Sequence, residues 1–333
     1  MRTKYIIACI VVLFSITAKS QTVINNQYVL HSDLKEWISF LASDEMKGRR
    51  NGSPEMQKAS EWIAGKFREF NILPLTGNGE YIQNYSFTSR QIQVNERNVL
   101  GILPGSDPAM KDQYIVLSSH FDHVGIRRAV EGDSIYNGAD DNAAGTSTII
   151  GIAKAIKESG RKPGRSIIFA AFSGEEAGMR GSRYFVANPP ITLRNIFVDL
   201  NFEMTGHSEY LGKNKYYLTG CSASNLDDVI KEFDRTTKFE LIDTIKIAEM
   251  LFNSSDNASF ARISFKNNLI TGIPGGTIAT MTLADYIHSP KDEMSLFDFD
   301  NMAELVNHFS DLVIWLSGYK GEIKWTDPRF TRP

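Results

Sequence analysis

Short apolar runs alternate along this chain with longer segments in which apolar residues recur every three or four positions. Residues 114–117, 166–172 and 196–202 are apolar runs of the length that is typical of buried strands. Residues 143–157 and 298–318 instead place their apolar residues along one face of a helix. Because strands alternate with helices, we predict an α/β fold: a three-layer sandwich in which helices flank a mixed, mostly parallel central sheet.

The remaining segments continue this pattern. Ser32 is predicted to cap the first helix. Further strands are predicted at residues 98–103 and 279–283, with a strand or hairpin at 81–94. Further helices are predicted at residues 32–43, 54–70, 176–186, 226–233 and 257–263. The chain has no internal repeat and no low-complexity linker, so we expect residues 21–333 to form one domain.

The first twenty residues have the features of a secretory signal peptide. A basic start at residues 1–4 is followed by an apolar run at 5–17 and by the small residues Ala18 and Ser20. We therefore predict that residues 1–20 are removed and that the protein is secreted or periplasmic. No later stretch approaches the roughly 20 apolar residues that a membrane span needs.

Charge and cysteine content narrow the class of protein further. The formal net charge of the 333 residues is −3 at pH 7, which gives no basic excess for binding nucleic acid. Cys9 lies inside the predicted signal peptide, so Cys221 is the only cysteine expected in the mature chain. We therefore expect an exported protein without internal disulfides, whose stability comes from its hydrophobic core.

Histidine and acidic residues are concentrated between the strand at 114–117 and the helix that follows it. They are His120, Asp122, His123, Asp140 and Asp141. Neutral imidazole and carboxylate oxygen are ligands that Zn²⁺ accepts, and open α/β sheets bind ligands at the carboxyl ends of their strands. On these residues alone, a polar loop that ends in a helix cap is an equally good interpretation.

Further acidic and histidine residues follow other predicted strands. The residues concerned are Glu175, Glu176, Glu203, Asp256 and His288. Taken singly, a Glu-Glu pair is most often a solvated helix start, and a histidine is most often an ordinary hydrogen-bonded residue. Parallel strands, however, bring their carboxyl ends to one edge of the sheet, so we expect several of these side chains to converge there.

The expected convergence has the ligand types of a two-zinc site. The set is His120, Asp141, Glu176, Glu203 and His288. Two histidines and three carboxylates suffice for two Zn²⁺ ions if one carboxylate bridges them and each ion keeps a position for water. His123 lies close in sequence, but we predict that it is not a ligand.

Five motifs carry a resemblance to a known family. They are His120-Phe-Asp122, Gly138-Ala-Asp-Asp-Asn-Ala-Ala-Gly145, Ser173-Gly-Glu-Glu-Ala-Gly178, Asn201-Phe-Glu203 and Tyr286-Ile-His288. In these motifs the chain resembles the secreted co-catalytic zinc aminopeptidases, whose relatives include glutamate carboxypeptidases and, more distantly, glutaminyl cyclases. When weaker similarities elsewhere in the chain are included, the resemblance extends from about residue 34 to residue 318. It implies a single zinc-peptidase catalytic domain.

The resemblance implies a role for each metal-binding position. Asp141 would bridge two Zn²⁺ ions. Glu176 and His288 would complete one ion, and His120 and Glu203 would complete the other.

The resemblance also implies three roles in catalysis. Glu175 would be the general base that takes a proton from water and passes it to the leaving amine. Asp122 would orient the imidazole of His120. Tyr286 occupies the region that supplies an oxyanion donor in several members of the family.

Three positions depart from the family pattern. Glu203 stands where many members have Asp, which leaves a carboxylate in place. Ile287 separates Tyr286 from His288, whereas several members have the Tyr directly before the His. Asn257 stands where an aromatic residue or His is common, next to the expected substrate pocket.

The resemblance implies an exported zinc aminopeptidase that acts, as a monomer, on peptides with a free N-terminus. Two alternatives are a glutaminyl cyclase, which in this superfamily uses a single zinc, and a receptor-like relative without catalysis. The five intact ligand positions favour the two-zinc enzyme over both. The related carboxypeptidases carry an inserted domain, for which residues 72–97 leave too little room.

Overall fold

The computed structural model describes residues 27–263, 272–282 and 285–331. The predicted signal peptide, residues 1–20, lies outside the described residues and stays a prediction, as does the single domain over residues 21–333. Within the described part of the chain, none of the helices has the length and apolar character needed to cross a membrane.

The described residues form eleven strands. These are β1 (Leu73–Pro74), β2 (Ile82–Ser89), β3 (Ile92–Leu103), β4 (Tyr114–His120), β5 (Gly125–Val130), β6 (Asp133–Tyr136), β7 (Ser166–Phe172), β8 (Ile196–Phe202), β9 (Lys215–Leu218), β10 (Glu240–Ile242) and β11 (Gly275–Ala279). Nine of them build one sheet in the order β1-β3-β7-β4-β8-β11-β9-β10, with β2 paired to β3. Strands β5 and β6 form a separate hairpin.

Nine α-helices accompany these strands in the described residues. They are α1 (His31–Leu41), α2 (Pro54–Glu69), α3 (Gly145–Ser159), α4 (Arg180–Ala187), α5 (Leu226–Asp234), α6 (Lys246–Leu251), α7 (Asn257–Ala261), α8 (Phe299–Gly318) and α9 (Pro328–Thr331). Strand β4 pairs in parallel with both β7 and β8, and β8 pairs in parallel with β11. The pairs β3–β7 and β9–β11 are antiparallel, so the sheet is mixed as predicted.

Strand β4 shows why apolar runs occupy the centre of the sheet. Ile115 and Leu117 belong to the main core, which also contains the apolar faces of α1, α3 and α8. Val116 points to the opposite face, where it shares a second cluster with Phe185 of α4 and Phe260 of α7. Successive side chains of a strand point to opposite faces, so the part of a strand that is packed on both sides is a continuous apolar run, here residues 115–117. The predicted three-layer sandwich is confirmed.

Several predicted boundaries are wrong for local reasons. Helix α1 begins after Leu30 rather than at Ser32, because Asp33 accepts the backbone N–H of Leu30 at 2.9 Å and takes over the capping role. The helix predicted at 176–186 begins only at Arg180. The strand predicted at 279–283 ends at Ala279.

The strand-like run at residues 251–252, which the sequence predicts ahead of Asp256, is also wrong. Leu251 ends helix α6 and does not belong to a strand. The hairpin of β5 and β6, which follows directly on His123, was not predicted, because its exposed residues lack a clear alternation of apolar and polar positions.

Candidate metal centre

The side chains with metal-ligand chemistry lie at the carboxyl ends of the parallel strands. Strand β4 ends at His120, β8 is followed directly by Glu203, and the loop after β7 carries Glu175 and Glu176. Asp141 lies in the short segment Ala139–Ala144 that leads into α3, where its own backbone is kinked and not helical (φ −107°, ψ 86°). The sheet therefore brings together residues that are far apart in sequence, as the alternation of strands and helices predicted.

The carboxylate of Asp141 stands at the middle of the cluster, and its two oxygens face different partners. Oδ1 lies 3.4 Å from Nε2 of His120, and that nitrogen lies 3.3 Å from Oε1 of Glu203. Oδ2 lies 3.2 Å from Nε2 of His288, which is 2.9 Å from Oε1 of Glu176. The structure thus arranges the five predicted ligand residues as two pairs around one shared carboxylate.

His123 joins the second of these pairs. Its Nδ1 lies 3.1 Å from Oε1 of Glu176 and 3.6 Å from Oδ2 of Asp141, and the ring is buried. One ligand atom from each of His123, Asp141, Glu176 and His288 falls within 4.8 Å of the others. Among the described residues, neither ring nitrogen of His123 makes a hydrogen bond of good geometry, and the polar neighbours of Nδ1 are the carboxylates of Glu176 and Asp141.

His123 is therefore a candidate ligand that the sequence analysis had set aside. The signal that could have identified it is the spacing His120-Phe-Asp-His123, which places both imidazoles on one short loop. A buried imidazole that faces two carboxylates without a well-aligned hydrogen bond has the donor set of a metal site, so a metal ion is a suitable occupant.

The carboxylates of the cluster favour positive charge on the groups around them. Contacts with Asp141 and Glu176 raise the pKa of His288 to about 10. Burial disfavours the charged form of His120, but Asp141 and Glu203 outweigh burial and raise its pKa well above the ordinary value. Both pKa shifts arise from the carboxylates around the two imidazoles, and the same carboxylates would stabilise a divalent cation bound there.

Asp122 connects the first histidine to the loop that carries the two glutamates. Its Oδ1 accepts the backbone N–H of Glu175 at 3.1 Å, and its Oδ2 accepts that of Glu176 at 3.2 Å. Asn51 donates a further hydrogen bond to Oδ2 at 2.8 Å. Nδ1 of His120 lies 3.2 Å from the carbonyl oxygen of Asp122 and 3.7 Å from its Oδ1. Asp122 can therefore fix both the imidazole and the glutamate loop.

Glu175 and its neighbour Glu176 lie on the wall of a cavity of about 190 Å³, which we call the inner cavity. It is lined by the predicted ligand residues and by Tyr217, Leu251, Ser255 and Ile287, among others. Burial raises the pKa of the Glu175 carboxyl well above its ordinary value, and the nearby carboxylate of Glu203 adds to the effect. A carboxyl with a raised pKa beside a cavity is a candidate for proton transfer.

The sequence that carries this cluster also matches a known protein family. The profile of peptidase family M28 matches residues 98–313, which is more than half of the chain and includes every residue of the cluster. This chain belongs to peptidase family M28. The family resemblance predicted from the five motifs is therefore confirmed.

One curated relative is similar to the M28 chain over part of its length. Leucine aminopeptidase 1 of Trichophyton rubrum is 28% identical over 217 residues, which span 63% of this chain and 55% of that protein. The chain thus matches only about half the length of this curated relative.

Solved structures share the fold of the M28 chain. The zinc aminopeptidase BSAP of Bacillus subtilis aligns with a TM-score of 0.64 at 15% identity, over 86% of this chain and 95% of that one. The glutaminyl cyclase of Porphyromonas gingivalis aligns with a TM-score of 0.65 at 14% identity, over 86% and 98%. At this level of identity the similarity concerns the fold alone.

Tyr286 of the M28 chain points away from the inner cavity. Its hydroxyl donates to Oδ2 of the buried Asp140 at 3.1 Å, and its ring stacks on His207 with centroids 5.2 Å apart. The next two residues, Ile287 and His288, line the cavity instead. A role for Tyr286 as an oxyanion donor stays a prediction, and these contacts give it no support.

Two buried residues that were not predicted from the sequence hold the loops that carry candidate metal ligands in the M28 chain. Asp292 accepts the backbone N–H groups of Asp140 at 2.8 Å and of Asp141 at 3.0 Å. Arg49 donates four hydrogen bonds of 2.5 to 2.8 Å to backbone carbonyls, including those of Phe121 and Gly138. No sequence pattern marks Asp292, whereas Arg49 lies in a segment that resembles the family only weakly.

Proposed function

We propose that the protein is a zinc-dependent aminopeptidase that removes N-terminal residues from peptides. The observation that carries this proposal is the carboxylate of Asp141, whose two oxygens face two separate histidine–carboxylate pairs. Membership of a peptidase family and similarity to leucine aminopeptidase 1 support the reaction class. Peptides with a free N-terminus are accordingly the proposed substrates.

The residues of the cluster fit two zinc ions. His120 and Glu203 would hold one ion, Glu176 and His288 would hold the other, and Asp141 would bind both. Zinc bound there supplies a Lewis acid that lowers the pKa of water and polarises the substrate carbonyl. His123 could be an additional ligand beside Glu176, given the 3.1 Å separation between Nδ1 and Oε1.

Glu175 is the residue that we assign to proton transfer. It would accept a proton from the attacking water at its carboxylate and donate that proton to the leaving amine. Its raised pKa brings the carboxyl closer to the working pH, where accepting and releasing a proton are both efficient. Asp122 would keep Glu175 in place through the hydrogen bond from the Glu175 backbone N–H.

The two alternative functions make different demands on the site. A glutaminyl cyclase with one zinc would not need both His120 and Glu203, and a receptor-like relative would need no general base.

We also propose that the protein is exported after loss of residues 1–20 and acts as a monomer. Sequencing the N-terminus of the mature protein tests the first of these two statements.

Two zinc ions per chain are expected in the active protein. Three carboxylates and two histidines provide more ligands than one tetrahedral ion uses. Elemental analysis of purified protein, with turnover of a panel of amino-acid p-nitroanilides, tests this expectation. Chelation should abolish turnover and added zinc should restore it. One zinc per chain in fully active protein would contradict the two-metal site and favour the cyclase.

Replacing Glu203 with aspartate is expected to lower turnover by less than about tenfold, or about 1.4 kcal/mol of barrier. Aspartate keeps the carboxylate but shortens its reach by one carbon–carbon bond, about 1.5 Å. Glu203 also accepts a hydrogen bond from Ser255, which a shorter side chain would reach less well. The aspartate should therefore bind the zinc ion that it shares with His120 less firmly. Zinc content and turnover measured at several zinc concentrations test this prediction. Loss of both metals would show that Glu203 is not a ligand of one ion alone.

A further inference from the structure

A second cavity, separate from the inner cavity, adjoins the candidate metal centre. It has a volume of about 230 Å³ and is lined in part by His123 and Glu176. Glu176 also lines the inner cavity, so the two cavities meet at this side chain. We call the second one the arginine-rimmed cavity, after Arg50, Arg90 and Arg127.

Three separate segments bring these arginines together. Arg50 follows the buried Arg49, Arg127 belongs to the hairpin of β5 and β6, and Arg90 lies in the tight turn between β2 and β3. All three side chains are exposed, and within the described residues none of them forms an ion pair with a carboxylate. Arg127 donates from Nε to the carbonyl of Val124 at 3.0 Å, which leaves its terminal nitrogens available.

The wall of the arginine-rimmed cavity is partly apolar. Phe87, Val94, Val124 and Ala177 contribute to its lining. The cavity therefore combines an apolar wall with three guanidinium groups. Guanidinium pairs with carboxylate through parallel N–H donors, so the complementary ligand has an apolar part and a carboxylate.

The position of the cavity indicates which part of a peptide would occupy it. If the first residue of the substrate enters the inner cavity, the residue after the cleaved bond leaves on the other side of Glu176. One extended residue spans about 3.3 to 3.6 Å, so the α-carboxylate of a dipeptide lies just beyond this second residue. In a longer peptide, an uncharged amide takes the place of that carboxylate.

We propose that the arginine-rimmed cavity binds a carboxylate on the second residue of the substrate, so that dipeptides with a free C-terminus are preferred. This inference rests on the proposed function and specifies its substrate class. An acidic side chain on the second residue would present the same group, and the experiment distinguishes the two sources.

The experiment compares Leu-Val, Leu-Val amide and Leu-Glu amide as substrates of the zinc-loaded protein. We expect a higher kcat/KM for Leu-Val than for Leu-Val amide, mainly through a lower KM. The preference should shrink as salt is added, because ions screen exposed charges. If the amide of Leu-Glu matches Leu-Val, the cavity binds the carboxylate of an acidic side chain as well.

The variants Arg50→Gln, Arg90→Gln and Arg127→Gln test the three guanidinium groups. An exposed ion pair contributes little, so each variant should lower kcat/KM for Leu-Val by about two- to fivefold. Hydrolysis of Leu-Val amide should not change. Arg90→Lys should recover part of the preference, because it keeps the charge but not the fork of donors. Arg235→Gln, which alters an exposed arginine at the end of α5, is the matched control.

The outcomes separate this inference from the proposed function. Equal kcat/KM for Leu-Val and Leu-Val amide, unaffected by the arginine variants, would overturn the inference and leave the aminopeptidase intact. No hydrolysis of any of the three substrates by zinc-loaded protein would contradict the proposed function itself.

Discussion

Glutamine in place of Glu175 is expected to lower turnover by about 10²–10⁴-fold while the protein keeps its fold and its metal content. Glu175 lines the inner cavity, and within the described residues no ion pair joins it to the candidate ligand histidines, so its replacement should remove a base and not a ligand. The factor corresponds to roughly 3 to 5 kcal/mol of barrier. Turnover of leucine p-nitroanilide, zinc content and circular dichroism of the same preparation provide the measurement.

The adjacent residue provides the matched control. Oε1 of Glu176 lies 2.9 Å from His288 and 3.1 Å from His123, so Glu176→Gln should lower zinc occupancy instead. Activity of this variant should recover in part when zinc is supplied in excess. Near-wild-type turnover of Glu175→Gln with both metals bound would rule out the proposed proton transfer. If neither substitution mattered, the pair would be an ordinary solvated turn.

Replacing Asp141 with asparagine is expected to lower activity by at least about 10³-fold, because metal catalysis contributes several kcal/mol. Each carboxylate oxygen of Asp141 faces a different histidine, at 3.4 and 3.2 Å. Asparagine keeps one oxygen and loses the negative charge, so it cannot serve two cations. Zinc content of the purified variant should fall to one ion per chain or fewer.

The neighbour Asp140 is the control for Asp141→Asn. Asp140 is buried and hydrogen-bonded to Gly206 and Tyr286, and burial together with Asp292 raises its pKa well above the ordinary value. Asparagine keeps the size of this buried side chain and an oxygen that can accept the Gly206 N–H, so Asp140→Asn should retain both zinc ions. Retention of two zinc ions in Asp141→Asn would show that this carboxylate does not bridge the site.

The central sheet could be predicted from sequence because its strands are buried on both faces. Strands β7 and β8 were predicted with their observed bounds, since an unbroken apolar run has no other stable place in an α/β protein. Helix α4 was placed four residues too early. Gly174, Gly178 and Met179 adopt positive φ angles, so an irregular turn precedes the helix where amphipathic spacing alone suggested helix.

The predicted metal ligands lie together because they follow strands whose carboxyl ends share one edge. His123 follows the same strand end as His120 and could have been predicted from that spacing, whereas Asp292 and Arg49 could not be predicted in this way. Asp292 acts through hydrogen bonds from the backbone of Asp140 and Asp141. Arg49 acts through four carbonyls, those of Leu41 at the end of α1, of Phe121, and of the adjacent Asn137 and Gly138. Such contacts depend on the packed tertiary structure and leave no periodic trace in the sequence.

The wide separation of the candidate ligands along the chain has a consequence for stability. From His120 to His288 they meet only after the sheet has formed, so an unfolded chain offers zinc no comparable site. A ligand that binds only the folded state stabilises it by about 2.7 kcal/mol when its free concentration is 100 times its Kd. The lifetime of the protein against heat and proteolysis would therefore follow the free zinc concentration of its surroundings.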